Sequence, residues 1–346
     1  MKTQTTFLSL FLCIVFVSVS ANSQVSPRPT PARFGTRALA DVRLRDICIL
    51  ADEKTQTYYA VAATRAPDKA GFQNAGVQAY TSKDLVKWEG PTVIFQAPDD
   101  LWGGIKIKSV WAPELHAYKG KYYLFLTFDT DEKLGEQWRD WLPRVRRGSQ
   151  ILVADGPLGP FKPFKNEPTL PADMMTLDAT FWVEDGVPYT VFAHEWVQIT
   201  DGTIEYARLT DDLSALASQP KRLFRGSDAP WGRKSPEWGC WVTDGPYLYR
   251  SKSGKLFMIW SSFSTTGYTV GLAISDSGKL PGPWRQQAGP IYSEDGGHAM
   301  LFKRFDGQLM MVLHKPNKGG LERAHLFEMD DTGESLRIKS PYPVPK

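Results

Sequence analysis

Short apolar segments rich in aromatic residues recur along the chain, and each follows a turn with Gly or charged residues. No long helical periodicity accompanies them. The five segments are marked by the following residues: Tyr58, Tyr122, Tyr189, Leu256 and Leu309. Their spacings are 64, 67, 67 and 53 residues. Such a regular series of strand-length segments predicts a repeated β structure.

A second signature follows each of these segments: a short strand, a polar turn and a further strand. The turns are rich in Asp, Ser, Gly and Pro, which favour tight connections between β-strands. Five copies predict an all-β fold over residues 39–346, a single five-bladed β-propeller with four-stranded antiparallel blades. Two stacked β-sandwiches are the alternative, but they would not explain why the two signatures alternate five times in the same order.

The first residues have the features of an export signal. Lys2 precedes an apolar run over residues 7–19, and small residues follow at 19–21. The run is shorter than the roughly 20 apolar residues of a membrane span, although an uncleaved anchor is an alternative. We therefore predict a signal peptide at 1–23, a Pro-rich lead-in at 24–38, and a secreted or periplasmic protein that does not span the membrane.

Charge and cysteine content narrow the function classes further. The formal net charge is +3 with acids and bases interspersed, and the small cluster of Arg144, Arg146 and Arg147 does not indicate nucleic-acid binding. Cys48 and Cys240 remain after the signal and are predicted to be buried thiols, with a disulfide left open. The 12 Trp residues suit either sugar stacking or core packing. We expect a monomer.

Polar residues occupy similar places ahead of the recurring segments. Asp46, Asp178, Asp244 and His298 lie 12, 11, 12 and 11 residues before their own markers, where the innermost strand of each blade is expected. Equivalent positions should meet at one end of the channel. Acids crowded in this way repel one another and raise each other's pKa, so folding gains little from them. The cluster therefore indicates a functional site, although each Asp alone could be an ordinary turn carboxylate.

Paired carboxylates of this kind suit the cleavage of glycosidic bonds. One carboxyl must be protonated to assist the departing oxygen, and another must be ionised to activate water or attack carbon. A third acid nearby can keep the proton on its neighbour through repulsion.

The sequence resembles glycoside hydrolase family 43 over Arg45 to about Arg323. The most specific piece is VWAPELHAYKGKYYLFLTF, Val110–Phe128. Supporting pieces are the Arg45-Asp46 pair and the stretches TLDATFWVEDG, TDGPYLY and GGHAMLF. The resemblance implies a five-bladed propeller that hydrolyses O-glycosyl bonds with inversion, as in arabinofuranosidases, xylosidases and arabinanases.

The resemblance also implies roles for individual residues. Asp46 matches the general base, Asp178 matches the acid that tunes the proton donor, and Asp244 stands where the family usually has Glu as the general acid. His298 matches a channel histidine that helps to hold a structural Ca²⁺ or waters on the axis. No cofactor is otherwise required.

Two further matches concern the substrate. Trp111 resembles a residue of the pocket wall, and Arg323 resembles a fifth-blade arginine that contacts the sugar.

The shorter side chain at position 244 opens a question about the proton donor. Asp is one methylene shorter than Glu, and a shift of that size can greatly slow a reaction. Glu237 in SPEWGCW and Glu195 in AHEW are therefore alternative donors. Loss of catalysis, which would leave a sugar-binding propeller, is the remaining interpretation.

Three other features bear on the pocket. His194 is expected near it as a hydrogen-bond partner of the sugar, or else as a strand cap; HEWVQ lacks the second His of a zinc protease. Trp241 is expected to stack against a sugar. The insertion Asp129–Arg147 is predicted to form a short helix over the pocket rim, which would favour exo action.

These observations predict an inverting, exo-acting glycosidase that removes terminal arabinofuranosyl, xylosyl or galactofuranosyl residues from plant or microbial polysaccharide. A non-catalytic carbohydrate-binding propeller is the alternative. A retaining mechanism on the same fold, as in fructan-cleaving relatives, also stays open.

Overall fold

Twenty strands form five antiparallel sheets in the computed structural model, which describes residues 36–64 and 75–343. Blade 1 contains β1 Cys48–Asp52, β2 Thr57–Ala63, β3 Gly76–Ser82 and β4 Trp88–Gln96. Blade 2 contains β5 Ile107–Tyr118, β6 Lys121–Thr130, β7 Gly148–Ala154 and β8 Lys162–Pro163. Blade 3 contains β9 Thr176–Glu184, β10 Val187–His194, β11 Thr203–Arg208 and β12 Lys221–Arg225. Blade 4 contains β13 Asp244–Arg250, β14 Leu256–Ser264, β15 Gly267–Ser275 and β16 Trp284–Gln286. Blade 5 contains β17 Gly297–Lys303, β18 Leu309–Lys315, β19 Arg323–Asp331 and β20 Leu336–Tyr342.

The sheets close into a ring, which confirms the predicted five-bladed propeller. Strands within each sheet are hydrogen-bonded in chain order. The first strands pack side by side around the axis: β1 on β5, β5 on β9, β9 on β13, β13 on β17, and β17 on β1. The first strand of every blade therefore lines the central channel, as the sequence predicted.

The recurring aromatic segments are the second strands of the blades. In β6, every residue from Tyr122 to Thr130 is buried, and the side chains of Leu124 and Phe125 have no exposed surface. These strands are covered on both faces by neighbouring blades, so they are continuously apolar rather than alternating. The core consists of apolar clusters between adjacent blades.

The N-terminal described segment joins the last blade to the first. The amide of Leu44 donates to the carbonyl of Glu322 at 3.2 Å, and Arg43 pairs with Arg323 as an isolated bridge. The predicted signal peptide 1–23 and most of the lead-in 24–38 lie outside the described residues. The described residues contain these short helices: α1 Trp196–Ile199 and the 3₁₀ turns Leu39–Asp41, Leu101–Gly103 and Gly226–Asp228.

The predicted helix in the insertion Asp129–Arg147 is wrong. The segment between β6 and β7 folds back on itself instead: the amide of Leu134 donates to the carbonyl of Arg144, and the amide of Arg146 donates to the carbonyl of Glu132. These bonds run between two antiparallel arms, and residues 131–147 contain only turns, bends and isolated bridges.

Two other sequence predictions concern cysteines and membrane spans. Cys48 and Cys240 are separate buried thiols, as predicted. Within 36–64 and 75–343, no helix has both the length and the apolar character needed to cross a bilayer.

Candidate active site

Every blade has a left-handed backbone residue within its first strand or, in blade 1, just before it. The five residues are Asp46 (φ 50°), Ala112 (φ 42°), Asp178 (φ 56°), Gly245 (φ 49°) and His298 (φ 50°). Left-handed φ is uncommon for residues other than Gly, and the surrounding structure must enforce it. This repeated kink turns the chain at one mouth of the channel and fixes the side chains there.

A cavity of about 690 Å³ opens at this mouth. Six residues selected from the sequence line it together: Asp46, Trp111, Asp178, Glu195, Asp244 and His298. Its other lining residues include Arg43, Arg45, Lys108, Trp196 and Glu322. The structure therefore brings Asp46, Asp178, Asp244 and His298 of four blades to one mouth of the channel, together with Trp111 of blade 2.

His298 lies between two of the acids. Its Nδ1 is 3.5 Å from Oδ1 of Asp46 and 3.6 Å from Oδ2 of Asp178. Oδ2 of Asp178 also accepts a hydrogen bond from the Gly245 amide at 3.0 Å. A Cβ at position 245 would lie 3.0 Å from the His298 ring, so only Gly allows this close approach.

Asp46 is surrounded by cationic and imidazole groups. Nε of Arg45 is 3.3 Å from its Oδ2, and Nδ1 of His314 is 3.2 Å from its Oδ1. Burial alone would raise the pKa of the Asp46 carboxyl, but Arg45, His298 and His314 lower that pKa well below its usual range. Its buried Oδ1 accepts no hydrogen bond from any described residue. Asp46 is thus an ionised carboxylate whose Oδ1 is buried beside the imidazoles of His298 and His314.

The pKa values of Asp178 and Asp244 are raised, whereas that of Asp46 is lowered. Burial, and then the charge of Asp46, raise the pKa of Asp178 well above its usual range. Burial and the charge of Asp178 raise the pKa of Asp244 to about 7. His298 and the Tyr268 hydroxyl, which donates to Oδ2 of Asp244 at 2.9 Å, oppose this rise. The pocket therefore retains a carboxyl proton near neutral pH.

A network on the fifth blade holds Arg45 beside Asp46. Nη1 of Arg45 donates to Oδ1 of Asn317 at 2.8 Å and lies 3.4 Å from Oε1 of buried Glu322. Nε of Arg43 contacts the other oxygen of Glu322 at 3.4 Å. Glu322 therefore anchors two arginines of the cavity wall.

Trp111 is fixed from a neighbouring network. Its Nε1 donates to Oγ of Ser109 at 2.8 Å, and the Arg147 guanidinium lies 4.1 Å from the ring centroid. Arg147 also binds the carboxylates of Asp129 and Glu195. Both oxygens of Glu195 accept hydrogen bonds from Nη1 of Arg147. Although Glu195 lines the cavity, its contacts suit it to holding Arg147 rather than to proton transfer.

Four of the predicted site residues are not brought to the cavity wall. Glu237 is exposed on the loop before β13. His194 uses its ring nitrogens on Gln198 at 2.8 Å and Glu205 at 3.3 Å, which places it in the packing of blade 3.

Trp241 and Arg323 are likewise occupied elsewhere. Trp241 packs against Gly226 and Gly232, and its carbonyl accepts from the Gly202 amide at 2.9 Å. Nη1 of Arg323 donates to the carbonyl of Glu322 at 2.9 Å, and the side chain of Glu322, not that of Arg323, lines the cavity.

The described side chains do not by themselves complete a calcium site near His298, so the calcium ion implied by the resemblance stays a prediction. Across 36–64 and 75–343, no group of three or more His, Cys, Asp or Glu side chains is arranged to hold a metal ion. Calcium takes six to eight oxygen ligands, whereas the polar edge of His298 faces two acids of the cavity.

Known proteins are similar to this chain in sequence or in structure. A crystal structure of an endo-arabinase from Bacteroides thetaiotaomicron VPI-5482 is 37% identical, with a TM-score of 0.73 over 86% of this chain and 98% of that one. An extracellular exo-α-(1→5)-L-arabinofuranosidase of Streptomyces chartreusis is 26% identical over 53% of this chain. An α-L-arabinofuranosidase B of Pyricularia oryzae is also 26% identical over 53% of this chain.

The matches cover only part of the length of the two curated relatives. The match spans 53% of the Streptomyces protein and 36% of the Pyricularia protein, so the chain spans about a third to a half of these curated relatives. The family model described as "Glycosyl hydrolases family 43" matches residues 37–340, which include the whole described propeller except its last residues. With its acids at the shared mouth of five blades, the chain belongs to the glycosyl hydrolases of family 43.

Proposed function

We propose that the protein is an inverting, exo-acting glycoside hydrolase. The observation that carries the proposal is the division of protons within one cavity: Asp46 is ionised, while Asp244 has a pKa of about 7. A glycosidase needs such a pair, since one carboxylate activates water and the other carboxyl protonates the leaving oxygen.

Each acid then has a separate task in the reaction. Asp46, which is ionised, accepts a proton from water, and this water attacks the anomeric carbon. Asp244 donates its proton to the departing glycosidic oxygen. Asp178, whose carboxylate charge raises the pKa of Asp244, keeps that proton in place until it is needed.

The relatives support a pentose or furanose as the substrate. The named relatives act on arabinose-containing substrates, and a β-xylosidase of Bacillus subtilis is 26% identical over 60% of this chain. We propose that terminal arabinofuranosyl residues are removed, with xylosyl or galactofuranosyl residues as the other candidates. The extracellular relative supports action outside the cytoplasm on oligo- or polysaccharide.

Exo action is supported by the insertion between β6 and β7. Its Trp141 packs against Trp196 of the cavity wall, with ring centroids 6.3 Å apart. The insertion therefore adds bulk beside the cavity wall, which would favour binding of a chain end over passage of a continuous chain.

The proposal is tested with a panel of aryl arabinofuranosides, xylosides and galactofuranosides, together with linear arabinan. We expect release of one monosaccharide, and proton NMR of the first product should show the inverted anomer. A retained anomer would contradict inversion, and release of long oligosaccharides first would contradict exo action. Binding of sugar without turnover would support the non-catalytic alternative.

Removal of the Tyr268 hydroxyl should shift the pH profile. The hydroxyl donates to Asp244 and so stabilises its ionised form, which lowers the pKa. In Tyr268→Phe the pKa of Asp244 rises, so the alkaline limb of kcat/KM, where the donor loses its proton, moves to higher pH. Tyr249→Phe is the matched control, because Tyr249 donates at 3.0 Å to Asp331 outside the cavity. A shift to lower pH, or an equal shift in both variants, would contradict the assignment.

A further inference from the structure

Four indole rings form a continuous series that starts at the wall of the active-site cavity. Trp196 lines the cavity. Its ring stacks on Trp238, with centroids 5.8 Å apart and planes 29° from parallel. On another side it meets Trp141 edge-on at 6.3 Å, and Trp141 lies 6.4 Å from Trp138. We call these four residues the tryptophan strip.

The outer members of the tryptophan strip are open to solvent. Trp138 is 40% exposed and Trp238 is 38% exposed, and they are among the few large apolar side chains of the described residues with so much free surface. Neither belongs to the apolar clusters between blades. Contiguous exposed apolar surface of this kind marks a binding site more often than it serves the fold.

The strip is also held in place without the help of a ligand. Nε1 of Trp141 donates to the carbonyl of Val197 at 2.7 Å, and Nε1 of Trp138 donates to Glu136 at 2.9 Å. The guanidinium of Arg144 lies 3.5 Å from the Trp138 ring centroid. A prepared surface loses little conformational freedom when a ligand binds.

We propose that the tryptophan strip binds successive sugar rings of a polysaccharide whose terminal residue occupies the cavity. The proposal rests on the proposed glycosidase function and adds a subsite outside the cavity. Trp196 belongs to both surfaces, so a chain that leaves the cavity meets the strip directly. Sugar rings present apolar C–H faces and polar edges, and indole rings match this combination.

The charges around the strip favour a neutral polymer over a charged partner. Arg144, the cation at Trp138, is paired with Glu136 at 3.0 Å. Its charge is therefore compensated, and the strip offers aromatic surface without a net field from this pair. A neutral polysaccharide needs no opposite charge, whereas an anionic polymer would gain little from a cation that is already paired.

The test compares a polymer with a small substrate for each variant. Trp138→Ala, Trp238→Ala and the double variant are assayed on linear α-1,5-arabinan and on an aryl arabinofuranoside. In the double variant, the ratio of kcat/KM on the polymer to kcat/KM on the aryl glycoside should fall about tenfold, equivalent to the loss of one or two aromatic contacts. Leu158→Ala is the matched control, because Leu158 is 40% exposed on the β7–β8 turn and should leave the ratio unchanged. Trp238→Phe keeps an aromatic ring, so this variant should retain most of the wild-type ratio of kcat/KM on the polymer to kcat/KM on the aryl glycoside.

Affinity electrophoresis through gels that contain arabinan gives a readout that does not depend on catalysis. We expect the wild-type chain to be retarded and the double variant to migrate freely. If the chain cleaves no glycoside but is retarded in this tryptophan-dependent way, the subsite stands while the glycosidase proposal fails.

Three results would overturn the proposal: an unchanged ratio together with unchanged retardation, an equal loss on polymer and aryl glycoside, or dissociation of a dimer by the substitutions in sedimentation velocity. The last result would assign the strip to a second copy of the chain. Circular dichroism of each variant checks that the blades remain folded.

Discussion

Asp46→Asn should lower kcat by roughly 10²–10⁴-fold, the range contributed by a general base. The amide cannot accept a proton from water, so attack on the anomeric carbon loses its assistance. Asn is close to Asp in size and can keep the contacts with Arg45 and the left-handed backbone at this position. Initial rates should therefore fall with every leaving group, because activation of water is needed whatever departs.

Glu237→Gln is the matched control for this change. Glu237 is exposed and lies outside the cavity wall, so removal of its charge should leave kcat near the wild-type value. If Asp46→Asn retained more than a tenth of the wild-type kcat while folded, Asp46 could not be the general base. A large loss of kcat in Glu237→Gln would indicate that Glu237 is the proton donor.

Asp244→Asn should produce a loss that depends on the leaving group. The variant has no proton to donate, so substrates with a sugar or alkyl leaving group should slow by roughly 10²–10³-fold. A dinitrophenyl glycoside leaves as a stable anion without a proton and should slow far less. The alkaline limb of the pH profile should also disappear in Asp244→Asn, because the group with a pKa of about 7 has been removed.

The comparison with Asp46→Asn separates the two roles. Loss of the base affects all leaving groups, and loss of the acid affects mainly the poor ones. An equal loss with both classes of substrate in Asp244→Asn would show that the proton comes from elsewhere. Glu195→Gln would then be the next variant to measure, since Glu195 lines the cavity and burial raises its pKa.

The fold could be predicted because its signals are local. Each second strand is buried on both faces and therefore reads as an apolar, aromatic segment, as at Tyr122 and Leu256. Five such segments at similar spacing define the blades, and the first strands then follow by offset. In blade 4 the position predicted from the offset differs by one residue from the structural equivalent. The left-handed residue that corresponds to Asp46 and Asp178 is Gly245, not Asp244.

The site was only partly predictable because much of it depends on contacts between distant segments. Tyr268 reaches Asp244 from β15, and His314 reaches Asp46 from the end of β18, with no motif to mark either. The rings of His314 and Tyr268 stack with centroids 5.7 Å apart. Through this contact, the residue beside Asp46 packs on the residue that binds Asp244.

The substrate-binding predictions for Trp241, His194 and Arg323 rested on residue type and on resemblance. Those cues do not show where a side chain points. At Arg323, a shift of one residue along β19 exchanges the two faces of the strand, and its neighbour Glu322 is the one that faces the cavity.

The most direct test of the account is a carbon-13 NMR titration of the aspartate carboxyl groups in the folded protein. If the two acids act as base and proton donor, Asp46 must be ionised while Asp244 retains a proton. We therefore expect one cavity carboxyl to titrate near pH 7, and we expect its resonance to be absent in Asp244→Asn. The resonance of the Asp46 carboxyl should show an ionised group well below the pH at which an ordinary aspartate is protonated. If all three cavity aspartates lost their protons together below pH 5, the division of roles between base and acid would be contradicted.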